Sequence, residues 1–173
     1  MPEFVNPIQI LQQIPLRSTM VAADFGSGSG GWTIPLARKL EDGQVFAVDI
    51  QEEPLSALES KAKLEGVSNI RKIVADVEKR IAQIPNSSCN LVLITDLLFQ
   101  VDDKEGVFKE VKRVLMPGGR VLVVEWKPEV PFVPEEKAPS KEEVKKIAQE
   151  VGFQLEKEFK AGDYHFALVF LKP

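Results

Sequence analysis

Short apolar runs alternate with longer amphipathic stretches along most of the chain. Runs of this kind, bounded by turn residues, are typical of buried strands, and apolar residues at helical spacing are typical of helices. The pattern predicts seven strands: residues 20–25, 45–49, 70–74, 91–95, 121–124, 153–160 and 165–171. It predicts helices at residues 7–13, 32–40, 54–65, 104–115 and 140–152, with a weak helical turn at 78–81. Because the first five strands are interleaved with helices, we expect a parallel sheet covered by helices on both faces.

The last two predicted strands differ from the others because only Ala161, Gly162 and Asp163 separate them. A connection this short joins antiparallel strands, so one strand of the hairpin must enter the sheet in the opposite direction. The sequence therefore predicts an α/β fold with a mostly parallel, seven-stranded sheet whose last strand is antiparallel. We expect one domain over residues 1–173, with an N-terminal helical segment at 1–19 and a proline-rich loop at 126–139.

Charge and cysteine content restrict the classes of function. The net charge is −4 and the sequence has no basic stripe, so nucleic acid is not an expected partner. Cys89 is the single cysteine, which rules out an intrachain disulfide and a cysteine-based zinc site, and no metal is expected. No apolar run reaches about 18 residues and the first residues lack a signal-peptide core. We therefore expect a cytoplasmic protein that does not bind a membrane.

A glycine cluster between the first strand and the next helix is the most informative motif. The strand reaches Asp24, and Gly26, Gly28, Gly30 and Gly31 follow it. A strand, a glycine turn and a helix start bring free backbone N–H groups close to a ligand, as in nucleotide-binding proteins. The second strand ends at Asp49, about 20 residues further on, where a carboxylate reaches a ribose hydroxyl.

Two nucleotide cofactors fit this glycine spacing. Gly26-x-Gly28-x-Gly30 is one reading of the motif, and Gly26-x-Gly28-x-x-Gly31 also satisfies the dinucleotide fingerprint. A dinucleotide would place its pyrophosphate at the helix start. A carboxylate two residues before the first glycine, as at Asp24, suits a cationic amino acid better than a phosphate.

Five segments in order resemble the motifs of class I S-adenosylmethionine (SAM) methyltransferases. They are DFGSGSG (24–30), AVDI (47–50), ADV (75–77), NLVLITDLL (90–98) and VKRVLMPGGRVLVVEW (111–126). The resemblance covers about residues 20–172 and is strongest to the group of ubiquinone/menaquinone-biosynthesis and arsenite-type methyltransferases. It implies a Rossmann-like three-layer sandwich, SAM as cofactor and S-adenosylhomocysteine as product.

The same resemblance implies a set of cofactor-binding residues. Asp24 would hold the methionine ammonium, Asp49 would accept hydrogen bonds from both ribose hydroxyls, and Asp76 would accept one from the adenine amino group. The full predicted set is Asp24, Phe25, Gly26, Ser27, Gly28, Gly30, Asp49, Ile50, Asp76, Val77 and Thr95. Simpler readings stay open: Asp49 as a turn residue, Asp76 as a helix cap and Trp32 as a core residue.

Candidate catalytic residues follow from the direction of the strands. Parallel strands end at one edge of the sheet, and an antiparallel last strand begins at that edge. This places Asp96, Tyr164 and His165 together as catalytic candidates, with a surface histidine as the alternative for His165. A base is needed only if the methyl acceptor must lose a proton. Phe4 and Val5 either fold over this site or belong to a frayed terminus.

The sequence thus predicts a SAM-dependent methyltransferase that acts on a small-molecule acceptor, with a protein side chain as the less favoured acceptor. One alternative is a non-catalytic SAM-binding domain. The other is an NAD(P)-dependent oxidoreductase, although a substrate domain and a Tyr-x-x-x-Lys pair are both missing from the sequence. A homodimer is kept among the expected assemblies, because few residues are left over to cover the site.

Overall fold

A computed structural model describes residues 1–133 and 137–173, which form strands and helices. The strands are β1 (Val21–Phe25), β2 (Gln44–Asp49), β3 (Ile70–Val74), β4 (Cys89–Thr95), β5 (Leu115–Trp126), β6 (Gln154–Ala161) and β7 (His165–Leu171). The helices are α1 (Pro7–Leu11), α2 (Thr33–Lys39), α3 (Glu52–Leu64), α4 (Lys104–Val114) and α5 (Lys141–Val151), with a 3₁₀ turn at Leu98–Gln100. Within the described residues, no helix is both long enough and apolar enough to span a membrane.

The seven strands form one sheet in the order β3-β2-β1-β4-β5-β7-β6. All neighbours from β3 to β5 pair in parallel, β7 pairs antiparallel with β5, and β6 pairs antiparallel with β7. The predicted fold class is therefore confirmed, including the reversed last strand. The strand order changes direction between β1 and β4, which is where open α/β sheets bind ligands at the carboxyl ends of their strands.

Helices cover both faces of the sheet because successive strand residues point to opposite sides. On one face, Ala22 of β1 packs in a cluster with Leu36 of α2. On the other face, Ala23 and Phe25 pack in a cluster that includes Phe108 of α4. The protein is therefore a three-layer sandwich with a separate apolar core on each side of the sheet.

Several predicted boundaries follow from local capping. The Asn6 side chain accepts hydrogen bonds from the backbone N–H groups of Ile8 and Gln9 at the start of α1. The Ser140 hydroxyl accepts one from the N–H of Glu143 at the start of α5, as the Ser-x-x-Glu pattern predicts. Gly152 ends α5 in the left-handed conformation with a φ of 105°.

Two local predictions were wrong. The helical turn expected at residues 78–81 does not form, because the Asp76 side chain accepts the N–H of Glu78 and makes a tight turn instead. The fifth strand is longer than predicted and begins at Leu115. Its Pro-Gly-Gly segment belongs to the strand, although Gly118 has a φ of 81°, because Gly118 donates to the Lys172 carbonyl and Lys172 donates to the Gly119 carbonyl.

The predicted loop at 126–139 lies between β5 and α5. Its described residues make two successive turns, in which Val130 donates to the Lys127 carbonyl and Val133 donates to the Val130 carbonyl. Both valines are buried. Residues 134–136, which belong to this predicted loop, lie outside the described residues.

Candidate functional site

A cleft of about 360 Å³ opens at the carboxyl ends of β1, β2 and β3. Six of the predicted cofactor residues line it: Gly26, Gly28, Asp49, Ile50, Asp76 and Val77. These residues come from three separate sequence motifs, and the parallel sheet brings them to one edge. We call this the nucleoside cleft.

The glycine turn closes one side of the nucleoside cleft. Gly26 has a φ of 75°, and a Cβ atom there would lie 2.8 Å from the Leu97 side chain. Gly30 has a φ of 95°, and its Cβ would lie 2.9 Å from Leu58. Both positions therefore require glycine, because a side chain would meet strain and collision together.

Asp49 is fixed at the end of β2 by two backbone hydrogen bonds. Its Oδ2 accepts the N–H of Gly28 at 2.9 Å, and its Oδ1 accepts the N–H of Gln51 at 3.0 Å. Each carboxylate oxygen has a further lone pair, so both remain able to accept a hydrogen bond from a ligand. Ile50 follows, and 67% of its side chain is exposed beside the nucleoside cleft.

Asp76 does not cap a helix, because no helical turn forms at residues 78–81, but its carboxylate closes a tight turn beside the nucleoside cleft. Its Oδ1 accepts the N–H of Glu78 at 2.9 Å, and its Oδ2 lies 3.4 Å from Nζ of Lys79. It also lines the nucleoside cleft. Its carboxylate is therefore held in place by the turn and presented to the cleft.

Asp24 lies behind the glycine turn and is completely buried. Its Oδ2 accepts the Thr33 hydroxyl at 2.7 Å, whereas its Oδ1 has no hydrogen-bonding partner among the described residues. Burial raises the pKa of Asp24 from 3.8 to about 7, the Thr33 hydrogen bond opposes this rise, and the negative charge of Asp49 adds to it. Asp24 is therefore a buried carboxyl group that the Thr33 hydrogen bond compensates only in part.

The remaining predicted cofactor residues do not line the nucleoside cleft. Phe25 is fully buried in the core, and Thr95 and Ser27 are also buried. The backbone N–H of Ser27 donates to the Val48 carbonyl, and Gly30 faces Leu58 of α3.

The candidate catalytic residues meet at the adjoining edge, at the end of β4 and the start of β7. Nε2 of His165 lies 2.8 Å from Oδ1 of Asp96. His165 is 2% exposed, so the alternative of a surface histidine is wrong. A carboxylate only accepts hydrogen bonds, so Nε2 carries the proton when Asp96 is ionised. Nδ1 is buried and has no partner among the described residues.

Asp96 has a φ of 50°, a left-handed conformation that is uncommon for residues other than glycine. Its N–H donates to the Val124 carbonyl, and its carbonyl accepts the Gln100 amide. Its side chain is 37% exposed, in contrast to the enclosed imidazole of His165. Asp96 therefore presents the accessible atoms of the pair. We call this edge of the sheet the acceptor end.

Glu125 is a third ionisable group at the acceptor end. The end of the fifth predicted strand also placed it at this edge, although it was not chosen as a catalytic candidate. It is fully buried, and it accepts the N–H of Leu98 at 2.8 Å and that of Trp126 at 3.0 Å. Burial, with a smaller contribution from Asp96, raises the pKa of Glu125 from 4.5 to about 7. An acid that ends a fully apolar strand was the signal in the sequence that could have identified it.

A row of aromatic rings extends outward from His165. The Trp126 ring lies 4.0 Å from the His165 ring, and Phe132 lies 5.0 Å from Trp126, measured between centroids. Tyr164 lies 5.5 Å from both Phe132 and Phe4. The acceptor end is therefore bordered by apolar rings from three distant parts of the chain, and Phe4 folds over it as one reading of the sequence proposed.

The structure also defines the surroundings of three further residues. Trp32 is partly buried against the core beneath α2, as a core residue would be. Cys89 is fully buried, and burial raises the pKa of its thiol to about 11, which makes it unreactive. Leu97 lines the nucleoside cleft, but sequence reasoning missed it because an apolar residue after a strand has no distinctive signature.

The fold and the cleft together define a nucleotide-binding type of α/β protein with its site at the switch point of the sheet. Residues 22–119 match the family model described as a methyltransferase domain. This match spans more than half of the chain, so the protein belongs to the methyltransferase domain family.

Curated relatives agree with this family. A ubiquinone/menaquinone biosynthesis C-methyltransferase of Idiomarina loihiensis is 30% identical over 113 residues, which cover 64% of this chain and 44% of that protein. A demethylmenaquinone methyltransferase of Geobacillus stearothermophilus is 30% identical over 117 residues, or 67% of this chain and 49% of that protein. The chain therefore spans less than half the length of these relatives.

A solved structure supports the fold over nearly the whole chain. A SAM-dependent methyltransferase from Aquifex aeolicus superposes with a TM-score of 0.90 at 24% sequence identity. The match covers 98% of this chain and 91% of that one. At this identity the likeness establishes the architecture alone.

Proposed function

We propose that this protein is a SAM-dependent methyltransferase that transfers a methyl group to a small-molecule acceptor. The observation that carries the proposal is the nucleoside cleft, where Asp49 and Asp76 stand beside a glycine turn in a chain of the methyltransferase domain family. The names of the curated relatives also support methyl transfer to a small molecule rather than to a protein side chain.

The chemistry of the cleft fits SAM, which carries an ammonium, a carboxylate and a sulfonium. Asp49 has free lone pairs for ribose hydroxyls, and Asp76 offers an acceptor further along the same cleft. The unpartnered Oδ1 of Asp24 is a buried acceptor behind the glycine turn and suits an ammonium group that arrives through water or backbone. No residue at the glycine turn supplies the positive charge that a pyrophosphate would favour.

When bound, SAM supplies an electrophilic methyl group on a good leaving group. The protein then has to align the acceptor and to exclude water. Asp96 is the accessible carboxylate at the acceptor end, and in this proposal it takes a proton from an acceptor that must lose one. His165 holds the carboxylate of Asp96 and stabilises its charge through Nε2. The rings of Trp126 and Tyr164 provide an apolar border.

An equilibrium binding experiment tests the cofactor. Calorimetric titration with SAM, S-adenosylhomocysteine and NAD should give binding of the first two and none of the third. NAD binding without SAM binding would support the oxidoreductase alternative and contradict the proposal. Incubation with methyl-labelled SAM and a panel of small metabolites then separates an enzyme from a non-catalytic SAM-binding domain by label transfer.

We further propose a homodimer, a role without nucleic acid and a cytoplasmic location. The net charge of −4 supports the absence of nucleic-acid binding, and a single buried cysteine is compatible with a reducing compartment. Light scattering measures the oligomeric state. A gel-shift titration with DNA and RNA tests the absence of nucleic-acid binding.

A further inference from the structure

Residues 1–5, which we call the N-terminal strap, run along the turn between β6 and β7. The backbone N–H of Glu3 donates to Oδ2 of Asp163 at 2.6 Å, and the N–H of Asp163 donates to the Glu3 carbonyl at 2.7 Å. Lys160 adds an exposed ion pair with the Glu3 carboxylate at 3.4 Å, which contributes little. The two reciprocal hydrogen bonds fix the position of the strap on the turn.

Gly162 makes this approach sterically feasible. Its φ is 72°, and a Cβ atom at this position would lie 2.6 Å from the Glu3 carbonyl oxygen and 2.9 Å from the Phe4 carbonyl carbon. These are backbone atoms, which cannot rotate away as the end of a side chain would. A side chain at position 162 would therefore displace the strap.

The docked strap places Phe4 on the aromatic row of the acceptor end. The Phe4 ring lies 5.5 Å from the ring of Tyr164, yet 67% of Phe4 is exposed. A phenylalanine with this exposure contributes little to core packing. Its position is set by the hydrogen bonds of Glu3 and Asp163, next to the residue that precedes His165 in the chain.

The strap is packed firmly at Val5 and only lightly before it. Val5 packs against the core beneath α1 and α2, and Asn6 caps α1. Residues 1–4 are exposed and are held through the Glu3–Asp163 contact. Segments with few buried apolar contacts and exposed hydrogen bonds open locally at low cost in free energy.

We propose that the N-terminal strap is a gate over the acceptor end, with Phe4 as its acceptor-contacting residue and with Gly162 and Asp163 as its latch. The proposal rests on the proposed function, since it assumes that the acceptor reaches Asp96 along the aromatic row. When the strap is docked, Phe4 shields Tyr164. When it opens, the ring of Tyr164 becomes available to an acceptor that approaches the carboxylate of Asp96, which is already exposed.

The chain offers a direct probe, because Tyr164 is its single tyrosine. Nitration by tetranitromethane, followed by mass spectrometry, reports how exposed this ring is. We expect Phe4→Ala and Gly162→Ala to raise the nitration rate of Tyr164 about threefold or more, and Phe4→Leu to stay close to the parent, because local opening controls access. The control is Gly66→Ala, since Gly66 also has a positive φ, 70°, but a Cβ atom there would meet no neighbouring atom within 4 Å.

Equal nitration rates in the parent, Phe4→Ala and Gly162→Ala would overturn the gate, and so would an equal rise in Gly66→Ala. Hydrogen exchange at the Asp163 amide checks the latch separately: it should become faster in Gly162→Ala and not in Gly66→Ala. If Gly162→Ala fails to fold, the comparison of Phe4→Ala with Phe4→Leu still tests the gate.

Binding of S-adenosylhomocysteine separates this proposal from the proposed function. The strap does not line the nucleoside cleft, so all variants should bind this ligand with the affinity of the parent. If the parent itself does not bind it, the methyltransferase proposal fails, whereas the nitration result still decides whether the strap covers Tyr164. With an acceptor from the labelled-SAM panel, Phe4→Ala should change the KM for the acceptor and leave the KM for SAM unchanged.

Discussion

Nε2 of His165 and Oδ1 of Asp96 are 2.8 Å apart although 69 positions separate the two residues in the chain. They meet because β7 runs opposite to β5, so the start of β7 reaches the edge where β4 ends. The buried imidazole touches the carboxylate, and the carboxylate reaches solvent. In the proposed mechanism, His165 is therefore a positioning residue for Asp96.

This relationship predicts different turnover for two substitutions of His165. His165→Ala removes the hydrogen bond and should lower the turnover of an accepted substrate by ~10²-fold, within the range of general acid–base effects. His165→Gln keeps an amide N–H near the position of Nε2 and should recover part of the loss. Single-turnover measurements and S-adenosylhomocysteine titrations check both, and ligand affinity should not change. Equal turnover in His165→Ala and the parent would assign the pair a structural role only.

Asp49 provides a test of the cofactor site. Asp49→Ala removes an acceptor for ribose hydroxyls and a partner of the Gly28 N–H, so SAM affinity should fall by ~1–3 kcal/mol, or about 5- to 150-fold. Calorimetry measures the loss. The matched control is Asp42→Ala, because Asp42 is an exposed aspartate outside the cleft. An unchanged affinity in a folded Asp49→Ala protein would mean that the ribose lies elsewhere.

The buried carboxyl of Asp24 predicts a dependence of stability on pH. The folded protein retains this proton up to about pH 7, whereas the unfolded chain releases it near its ordinary pKa of 3.8. Between these values the folded state binds more protons, so the free energy of unfolding falls as pH rises from about 4 to about 7 and then levels off. The raised pKa of Glu125 acts in the same direction.

Asp24→Asn removes the charge and keeps an oxygen that accepts the Thr33 hydroxyl. We expect this variant to be more stable than the parent by ~1–3 kcal/mol at pH 8, and similar to it near pH 4. Urea unfolding at both pH values measures the difference, and SAM affinity should fall if Asp24 serves the ammonium group. A variant less stable than the parent at pH 8 would show that the buried carboxyl is compensated in the folded protein.

Arg113 is expected to be the most important arginine for stability. Its guanidinium donates to Glu110, to the carbonyls of Ile81 and Ile84, and to the side chain of Asn86. Glu110 is buried, so Arg113→Ala leaves a buried carboxylate without its cation and should cost ~3–5 kcal/mol.

Arg38→Ala is the control for Arg113→Ala. Arg38 pairs with Glu65 at 2.9 Å, but both side chains are exposed to solvent, so the loss should be below about 1 kcal/mol. Chemical denaturation of both variants checks the contrast. Similar losses for the two arginines would mean that burial of Glu110 is not what determines the effect.

Much of the fold could be predicted because helical and strand periodicities alternate in the sequence. The seven strands and the reversal of β7 follow from apolar runs and from a hairpin connection that is too short for a crossover. The turn at Asp76 could not be predicted, because an Asx turn and the first turn of a helix use the same residues. The Pro-Gly-Gly segment joins the strand by pairing with Lys172, more than 50 residues away, and local sequence signals do not reveal such pairing.

The same distinction applies to the candidate site. Motif positions such as Asp49 and Asp76 can be recognised in the sequence because they follow apolar strands. The parallel sheet then brings them together. The unpartnered oxygen of Asp24 and the raised pKa of Glu125 are consequences of burial, which depends on packing that no single motif specifies. Phe4 belongs to the same class, since only the folded chain shows that it lies on Tyr164.

The order β3-β2-β1-β4-β5-β7-β6 has a consequence for engineering. The glycine turn, Asp49 and Asp76 all precede residue 80, whereas Trp126, Tyr164 and His165 all follow residue 120. A chimera that joins the first half of this chain to the second half of a relative, with the crossover inside α4, would exchange one wall of the crevice and preserve the other. The contacts of Phe4 with Tyr164 and of Asp96 with His165 cross this boundary, so the second half of the relative has to supply both partners.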